Sequence, residues 1–168
     1  SILEVPGEVD LAIIVVNAKF VLSTIDQCHE KGIKGICIIT AGFKETGKEG
    51  AELEKQLVEK LKEYGMRCVG PNCLGVVNTH PDIRMDGCFA ESLPERGNIG
   101  FVSQSGALGG GILNILKDLN LGFAQFISIG NQADVNAETA LEYWENDADV
   151  EQILLYMESI HLQYYWQN

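Results

Sequence analysis

Apolar runs of strand length alternate with amphipathic runs of helix length in the first half of the chain, and this alternation most restricts the fold. Residues 10–16 and 35–40 are almost continuous apolar runs, as expected for strands covered on both faces. Residues 19–31 and 51–64 carry apolar side chains at helical spacing, and residues 67–72 read as a third strand. This order predicts parallel pairing with right-handed crossovers, an α/β fold.

The alternation lapses over residues 78–97, which contain Pro81, Gly87 and Pro94, and then restarts. We interpret residues 78–97 as a linker between two units. The restarted pattern predicts strands at 98–103, 123–129 and 152–157, with helices at 107–120 and 137–146. We therefore expect a first α/β unit over residues 1–77, a second parallel-sheet unit over 98–160, and an irregular tail over 161–168.

Both ends of the sequence have the appearance of cuts. A core strand is reached within ten residues of the start, and the last predicted strand has no helix after it to cover the sheet. The closing residues, HLQYYWQN, do not continue the pattern. We expect the chain to be a fragment of a longer protein.

Charge and cysteine content exclude several classes of protein. The chain has 24 acidic against 12 basic residues and a net charge of −12, which repels nucleic acid and anionic lipid, so we expect neither as a partner. No apolar run approaches the roughly 18 residues of a membrane span. The five cysteines are scattered without a C-x-x-C pair, which predicts reduced thiols in a cytoplasmic protein and no metal site.

The stretch FVSQSGALGGGI holds the most suggestive turn in the sequence. Ligands of parallel α/β sheets bind where strands turn into helices, and a helix start presents unpaired backbone N–H groups to an anion. Ser103 and Ser105 add hydroxyl groups, and Gly106 allows an anion to approach the backbone. The alternative is an ordinary serine cap with glycines that pack closely. The stretch is neither a Walker loop nor a G-x-G-x-x-G fingerprint.

Other turns leave alternatives open. TAGFKE contains Gly42, free to adopt positive φ, but it could be a plain connecting loop. Cys73 in GPNCLG is either a nucleophile or, more simply, a packed thiol. Ser105 could be the nucleophile of a serine hydrolase, although Ser103 stands where the nucleophile elbow has glycine. Glu158 ends an apolar strand, where a carboxylate must face a site or solvent.

Several stretches taken together resemble one family. ITAGFKE, VGPNCLGVVNTHP, GNIGFVSQSGALG, SIGNQADVN and LLYMES occur in the order found in the α-type region of the nucleoside-diphosphate-forming acyl-CoA synthetases, which include ADP-forming acetate–CoA ligases and relatives of the succinyl-CoA synthetase α subunit. The resemblance implies a partial Rossmann-like CoA-binding unit followed by a flavodoxin-like ligase unit. It also implies a reaction in which acyl-CoA, ADP and phosphate give carboxylate, CoA and ATP through an acyl phosphate and a phosphohistidine.

The resemblance assigns roles to residues of this chain. Thr40, Ala41 and Gly42 match the loop that contacts CoA. Ser103, Ser105 and Gly106 match the turn that binds the transferable phosphate, and Glu158 matches the carboxylate that orients the phosphorylated histidine.

The resemblance places the family's glycine-rich CoA loop before Ser1 and its histidine loop well beyond Glu158. His161 follows Glu158 too closely in the sequence to be the phosphorylated histidine, so that role is not assigned to it. Gly110 stands where succinyl-CoA synthetases have tyrosine, which argues against succinate. The implied partners are an ATP-grasp domain or subunit that holds ADP or ATP with Mg, a small carboxylic acid and phosphate, in a homo- or hetero-oligomer.

We expect the chain by itself to be inactive, because it lacks the histidine, the glycine-rich loop and the nucleotide domain. A different hypothesis makes this region a non-catalytic acyl-CoA-binding module that regulates a protein lysine acetyltransferase.

Overall fold

The computed structural model describes residues 1–90 and 95–159. Over these residues the chain forms eight strands and four α-helices: β1 (Leu11–Ile14), α1 (Val21–Lys31), β2 (Gly35–Ile38), α2 (Lys48–Tyr64), β3 (Arg67–Val69), β4 (Gly75–Asn78), β5 (Met85–Cys88), β6 (Arg96–Ser103), α3 (Gly106–Asp118), β7 (Phe123–Ser128), α4 (Ala137–Trp144) and β8 (Gln152–Tyr156). None of the helices in this part is long and apolar enough to cross a membrane.

The first unit is a parallel sheet with strand order β1-β2-β3. Its strands and helices occur in the predicted order because each apolar run has one amphipathic helix to cover it. Helix α2, for example, buries Leu57 and Leu61 on one face. The core forms where α1 and α2 meet the first two strands, and it includes Ile14, Val21, Ile25, Ile36, Ile38, Leu57 and Leu61.

The second unit is a sheet with strand order β5-β4-β7-β6-β8. Strand β6 lies in the middle of its parallel part and pairs with both β7 and β8. Counted from β6, the order β7-β6-β8 is second, first, third, as in flavodoxin-like doubly wound sheets. Phe101, Phe123 and Phe126 of these strands are fully buried and pack with Leu113 of α3.

The structure differs from the prediction over residues 78–97. Asn78 ends β4, and β5 lies wholly within the segment that we interpreted as a linker. Strand β4 pairs antiparallel with both β5 and β7, so the second sheet is mixed and not parallel throughout. Pro81 lies in the turn of a hairpin, and the pairing of that hairpin with β7 depends on contacts that local composition does not encode.

The loop between β7 and α4 joins the two units. The backbone N–H of Asn131 donates to the carbonyl of Pro71 at 2.9 Å, and that of Val135 donates to the carbonyl of Cys68 at 3.0 Å. Asp134 accepts hydrogen bonds from the backbone N–H of Cys68 at 2.7 Å and from Arg67 Nε at 2.9 Å. Strand β3 and the turn after it are thereby fastened to the second unit.

Candidate functional site

A cleft of about 1090 Å³ lies between the two units, at the carboxyl ends of strands from both sheets. The predicted site residues Ala41, Ser105, Gly106 and Glu158 all line it. Ala41 follows β2 of the first sheet, whereas the other three follow β6 and β8 of the second. The fold thus brings to one cleft residues that are far apart in the sequence.

Ser105 and Glu158 line the same part of the fold because they follow β6 and β8, which are paired strands. Ser103 lies opposite Tyr156 in the parallel register, so the segments that follow β6 and β8 leave the sheet at the same edge. In a flavodoxin-like sheet the point between the first and third strands is where ligands bind, because the connections run to opposite faces there. The two residues therefore flank the position at which this fold forms its crevice.

Gln104 holds the two chain segments together, and no pattern in the sequence marked it as a site residue. Its backbone N–H donates to the carbonyl of Tyr156 at 2.9 Å. Its side-chain Oε1 accepts from the backbone N–H of Glu158 at 2.9 Å and from that of Ser159 at 3.1 Å. The backbone that carries the exposed Glu158 is therefore fixed beside the turn.

Helix α3 begins at this turn with a serine cap. Ser105 is extended, with φ −88° and ψ 120°, and its Oγ accepts from the backbone N–H of Leu108 at 3.3 Å. Gly106 and Ala107 occupy the first helical turn and line the cleft, and N–H groups at such positions have no partner within the helix. Asn136 and Ala137, at the start of α4, line the same cleft. Two helix N-termini thus provide donors and positive potential for an anion.

Ser103 is placed differently from the prediction of a hydroxyl that faces the ligand. Its side chain is fully buried, and its Oγ donates to the carbonyl of Ser105 at 2.7 Å. It does not line the cleft, because the first turn of α3 covers it: a Cβ at Gly109 would lie 3.1 Å from the Ser103 Oγ. Ser103 supports the shape of the turn from below, whereas Ser105 and Gly106 lie at its surface.

The turn after β2 is shaped by Thr40 and Gly42, neither of which lines the cleft. Thr40 Oγ1 donates to the carbonyl of Val16 at 2.7 Å, which ties the ends of β1 and β2 together. Gly42 has φ +110°, the positive value that the sequence suggested. The backbone N–H groups of Gly42 and Phe43 donate to Glu45 Oε1 at 2.6 and 3.1 Å. The turn is therefore folded around the Glu45 carboxylate, with Ala41 exposed beside the cleft.

Asn131 connects this turn to the second unit and was not predicted as a site residue. Its Nδ2 donates to Glu45 Oε2 at 2.6 Å and to Glu54 Oε2 at 2.8 Å. Lys44 donates to the Asn131 carbonyl and forms an ion pair with Glu54 at 3.1 Å. Burial raises the pKa of Glu45, but hydrogen bonds from Asn131 and from backbone N–H groups lower it, and the net pKa lies below its ordinary value.

The thiol of Cys73 is buried at the cleft wall. Its Sγ lies 3.3 Å from the carbonyl oxygen of Ile38 and 3.8 Å from Cys37 Sγ. The hydrogen bond between the two thiols raises the pKa of Cys37 and lowers that of Cys73, against the burial of Cys73, which raises it. Cys73 is only 5% exposed, and no histidine of the described residues lines the cleft to act as its base, so the geometry favours a packed thiol over a nucleophile.

No histidine of the described ranges lines the cleft. His29 stacks on Tyr64 with ring centroids 3.9 Å apart. His80 faces Asp149, with Nε2 and Oδ2 3.5 Å apart. His161 lies outside the described residues. The geometry gives no support to a serine hydrolase that uses Ser105, since such an enzyme needs a base within hydrogen-bond reach.

Known proteins match both halves of the chain. The family model for a CoA binding domain matches residues 1–79, and that for a succinyl-CoA ligase like flavodoxin domain matches residues 96–163. The α subunit of ADP-forming acetate–CoA ligase II from Pyrococcus furiosus is 50% identical over 160 residues, which cover 95% of this chain and 34% of the relative. Over 95% of its length the chain is similar to the α subunits of ADP-forming acetate–CoA ligases. It spans about a third of the length of that relative.

Two solved structures share the arrangement of the two units. A Pyrococcus horikoshii crystal structure superposes with a TM-score of 0.91 at 47% identity, covering 96% of this chain and 37% of that one. Acetyl-coenzyme A synthetase 1 of Candidatus Korarchaeum cryptofilum, solved in complex with phosphate and ADP, gives a TM-score of 0.87 at 37% identity, covering 95% and 34% of the two chains. A Rossmann-like CoA-binding unit followed by a flavodoxin-like ligase unit is thus the fold of this chain.

Proposed function

We propose that this chain is the CoA-binding and ligase region of an acyl-CoA synthetase that converts acyl-CoA, ADP and phosphate into carboxylate, CoA and ATP, with acetyl-CoA as the expected acyl donor. The cleft carries this proposal, because it joins the predicted CoA turn of the first unit to a capped helix start and a carboxylate of the second. Residues 1–77 would supply the end of the CoA-binding domain and residues 98–160 the start of the ligase domain.

The residues at the cleft suit the first chemical step. Phosphate attacks the thioester carbonyl, the C–S bond breaks, and acyl phosphate and CoA form. The N–H groups of Gly106 and Ala107 can hold the phosphate, and Ser105 fixes them through its cap on Leu108. The turn at Ala41 and Gly42 would place the thioester arm of CoA against this phosphate. Such a reaction depends on positioning and electrostatics more than on a protein nucleophile.

Glu158 is proposed to act in the second step. The acyl phosphate passes its phosphoryl group to a histidine nitrogen, and the carboxylate leaves. A carboxylate that accepts a hydrogen bond from one imidazole nitrogen fixes the tautomer and leaves the other nitrogen as the nucleophile. Glu158 sits at the cleft with its backbone fastened to Gln104. The histidine and an ATP-grasp region that binds ADP with Mg would come from beyond these 168 residues.

The relative from Pyrococcus furiosus is named as an acetate–CoA ligase and the Korarchaeum structure as an acetyl-CoA synthetase. Both names support acetyl-CoA as the first substrate to test. They give no support to the hypothesis of a non-catalytic module in an acetyltransferase. A cytoplasmic location and an oligomer with the nucleotide-binding region remain part of the proposal.

The test uses the full-length protein together with its nucleotide-binding region. Incubation with ATP labelled in the γ-phosphate should give a phosphoprotein that is labile to acid and stable to base, and acetyl-CoA with ADP and phosphate should yield ATP. The 168-residue chain alone should do neither. Absence of both activities from the full assembly, or ATP formation by the chain alone, would overturn the proposal. In E158Q the labelled phosphoprotein should form much more slowly than in wild type, with CoA binding unchanged.

A further inference from the structure

Asn131 lies where three loops of the two units meet, and its side chain is saturated with hydrogen bonds. Only 8% of the residue is exposed. Nδ2 donates to Glu45 and Glu54, and Oδ1 accepts from Asn72 Nδ2 at 3.3 Å. The donors and the acceptor of this amide are all used by residues of the first unit, two in loops and Glu54 in α2, so a residue of different hydrogen-bonding chemistry cannot replace it without loss.

The contact with Glu45 extends to the proposed CoA turn. One oxygen of this carboxylate accepts from Asn131, while the other accepts from the backbone N–H groups of Gly42 and Phe43. The carboxylate is therefore a bridge between the amide of the second unit and the backbone on which Ala41 is presented to the cleft. Without its Asn131 contact, Glu45 would hold the turn alone from an exposed position.

On its other side Asn131 is tied to the proposed phosphate turn. Ile129 lies two residues before Asn131, and its backbone N–H donates to the carbonyl of Ser103 at 2.9 Å. Gly130 and Gln132, its neighbours in sequence, line the cleft. The loop that carries Asn131 is thus fixed to the start of the turn that leads to α3.

We propose that Asn131 is a positioning residue that sets the CoA turn at residues 40–42 in register with the phosphate turn at residues 103–106, through its hydrogen bond to Glu45. The effect of this alignment on CoA and phosphate rests on the proposed function. The coupling of the two turns by hydrogen bonds does not. Loss of the coupling should weaken the use of CoA more than that of phosphate, because the phosphate turn has its own local cap.

Reciprocal exchange of the two side chains tests the coupling. N131D replaces a donor by a carboxylate oxygen beside two glutamates, with Lys44 as the compensating charge. In E45Q alone, the NH2 group of the glutamine faces the NH2 group of Asn131, so two donors meet and this hydrogen bond is lost. In N131D/E45Q a donor and an acceptor face each other again, and Gln Oε1 can still accept from Gly42 and Phe43. The glutamate at position 54 still opposes the new carboxylate, so the recovery should be partial.

Two readouts on the full-length assembly separate this inference from the proposed function. Hydrogen–deuterium exchange of the segment 40–46 should speed up in N131D and slow again in N131D/E45Q. In the direction that forms acyl-CoA, the KM for CoA should rise about 10-fold in N131D. The KM for phosphate, measured in the reverse direction, and kcat should change far less. The double variant should recover a substantial part of the KM.

N98D is the matched control. Asn98 Nδ2 also donates to a glutamate, Glu151, at 2.7 Å, but it lies outside the cleft. N98D should lose some thermal stability and leave the KM for CoA unchanged.

If the wild-type assembly makes no ATP but hydrogen–deuterium exchange shows the rescue in the double variant, the proposed function is wrong and the coupling holds. Failure of the double variant to slow exchange in the segment 40–46, or equal losses in the KM values for CoA and phosphate, would refute Asn131 as a positioning residue.

Discussion

The two strand-to-helix turns that meet in the cleft keep their shape by different means. The turn at residues 103–106 is held largely from within, by the Ser105 cap on Leu108 and by the Ser103 hydrogen bond to the Ser105 carbonyl. The turn at residues 40–42 is held by Glu45, which is in turn held by Asn131, 86 positions further along the chain. A local signal specifies the first turn, and a contact between units specifies the second.

Under the proposed function, this difference would separate binding of phosphate from binding of CoA. A turn held by its own cap presents backbone donors in a fixed geometry whether or not its neighbours move. A turn held across an interface changes shape when the interface changes. Substitutions at the interface should therefore act on the CoA turn first, and substitutions at the cap should act on the phosphate turn alone.

The largest effect is expected from Gly130→Ala, which breaks the interface. Gly130 has φ +51°, and a Cβ there would lie 2.3 Å from the Pro71 carbonyl oxygen. Relief of this overlap must move the loop that carries Asn131, and we expect a loss of about 3 kcal/mol in the free energy of unfolding. Urea unfolding measures it. Gly111→Ala is the control, because a Cβ there meets nothing within 4 Å; similar losses in both variants would contradict a special role of the interface.

Gly106→Ala should impair the phosphate turn without harm to the fold. A Cβ at this position would meet its nearest heavy atoms at 3.6 Å, an ordinary contact, yet it would stand at the helix start that lines the cleft. We expect kcat/KM for phosphate in the full assembly to fall about 100-fold with unchanged thermal stability.

Gly109→Ala provides the contrast for that experiment. A Cβ there would press on Phe126 and Ser103 at 3.1 Å, so this variant should lose stability first. Full activity of Gly106→Ala with phosphate would mean that the ligand does not approach the backbone at this turn.

Ser105→Ala should cost about 1 kcal/mol of folding stability, because the Leu108 N–H at the start of α3 loses its side-chain acceptor. Ser105→Asp retains an acceptor of the same reach and should restore the stability. It should not restore activity, since it places a carboxylate where phosphate is proposed to bind. Thermal unfolding and the ATP-forming assay measure the two effects, and a stable Ser105→Ala would show that the cap is not what holds the turn.

The smallest effect concerns acid stability of the CoA turn. The folded pKa of Glu45 lies below its ordinary value of 4.5, so its contribution is present above that pH and is lost as the pH falls through the folded value. The stability of wild type should therefore decline between about pH 5 and pH 3 more steeply than that of Glu45→Gln, as measured by urea unfolding across this range. Equal slopes would show that ionised Glu45 adds nothing to the turn.

Local patterns in the sequence predicted most of the elements because each depends on its own residues. The apolar runs at 10–16 and 35–40 contain β1 and β2, and helical spacing over 51–64 marks most of α2. The start of α3 was recognisable from Ser105 and the glycines after it, since a cap is made within a single turn. The CoA turn was assigned by resemblance, and only its positive φ at Gly42 had a physical reason in the sequence.

Long-range contacts decided what the local patterns could not. The antiparallel pairing of β4 and β5 with the second sheet depends on β7, which lies far along the chain, and composition therefore suggested a linker. Tertiary packing likewise buries Ser103 under α3 and brings Asn131 within hydrogen-bond distance of Glu45. The sequence by itself determined where strands turn into helices, and it marked the turn at residues 103–106 as the candidate anion site. The tertiary structure decided which turns share a cleft, because hydrogen bonds between units form only once both sheets are in place.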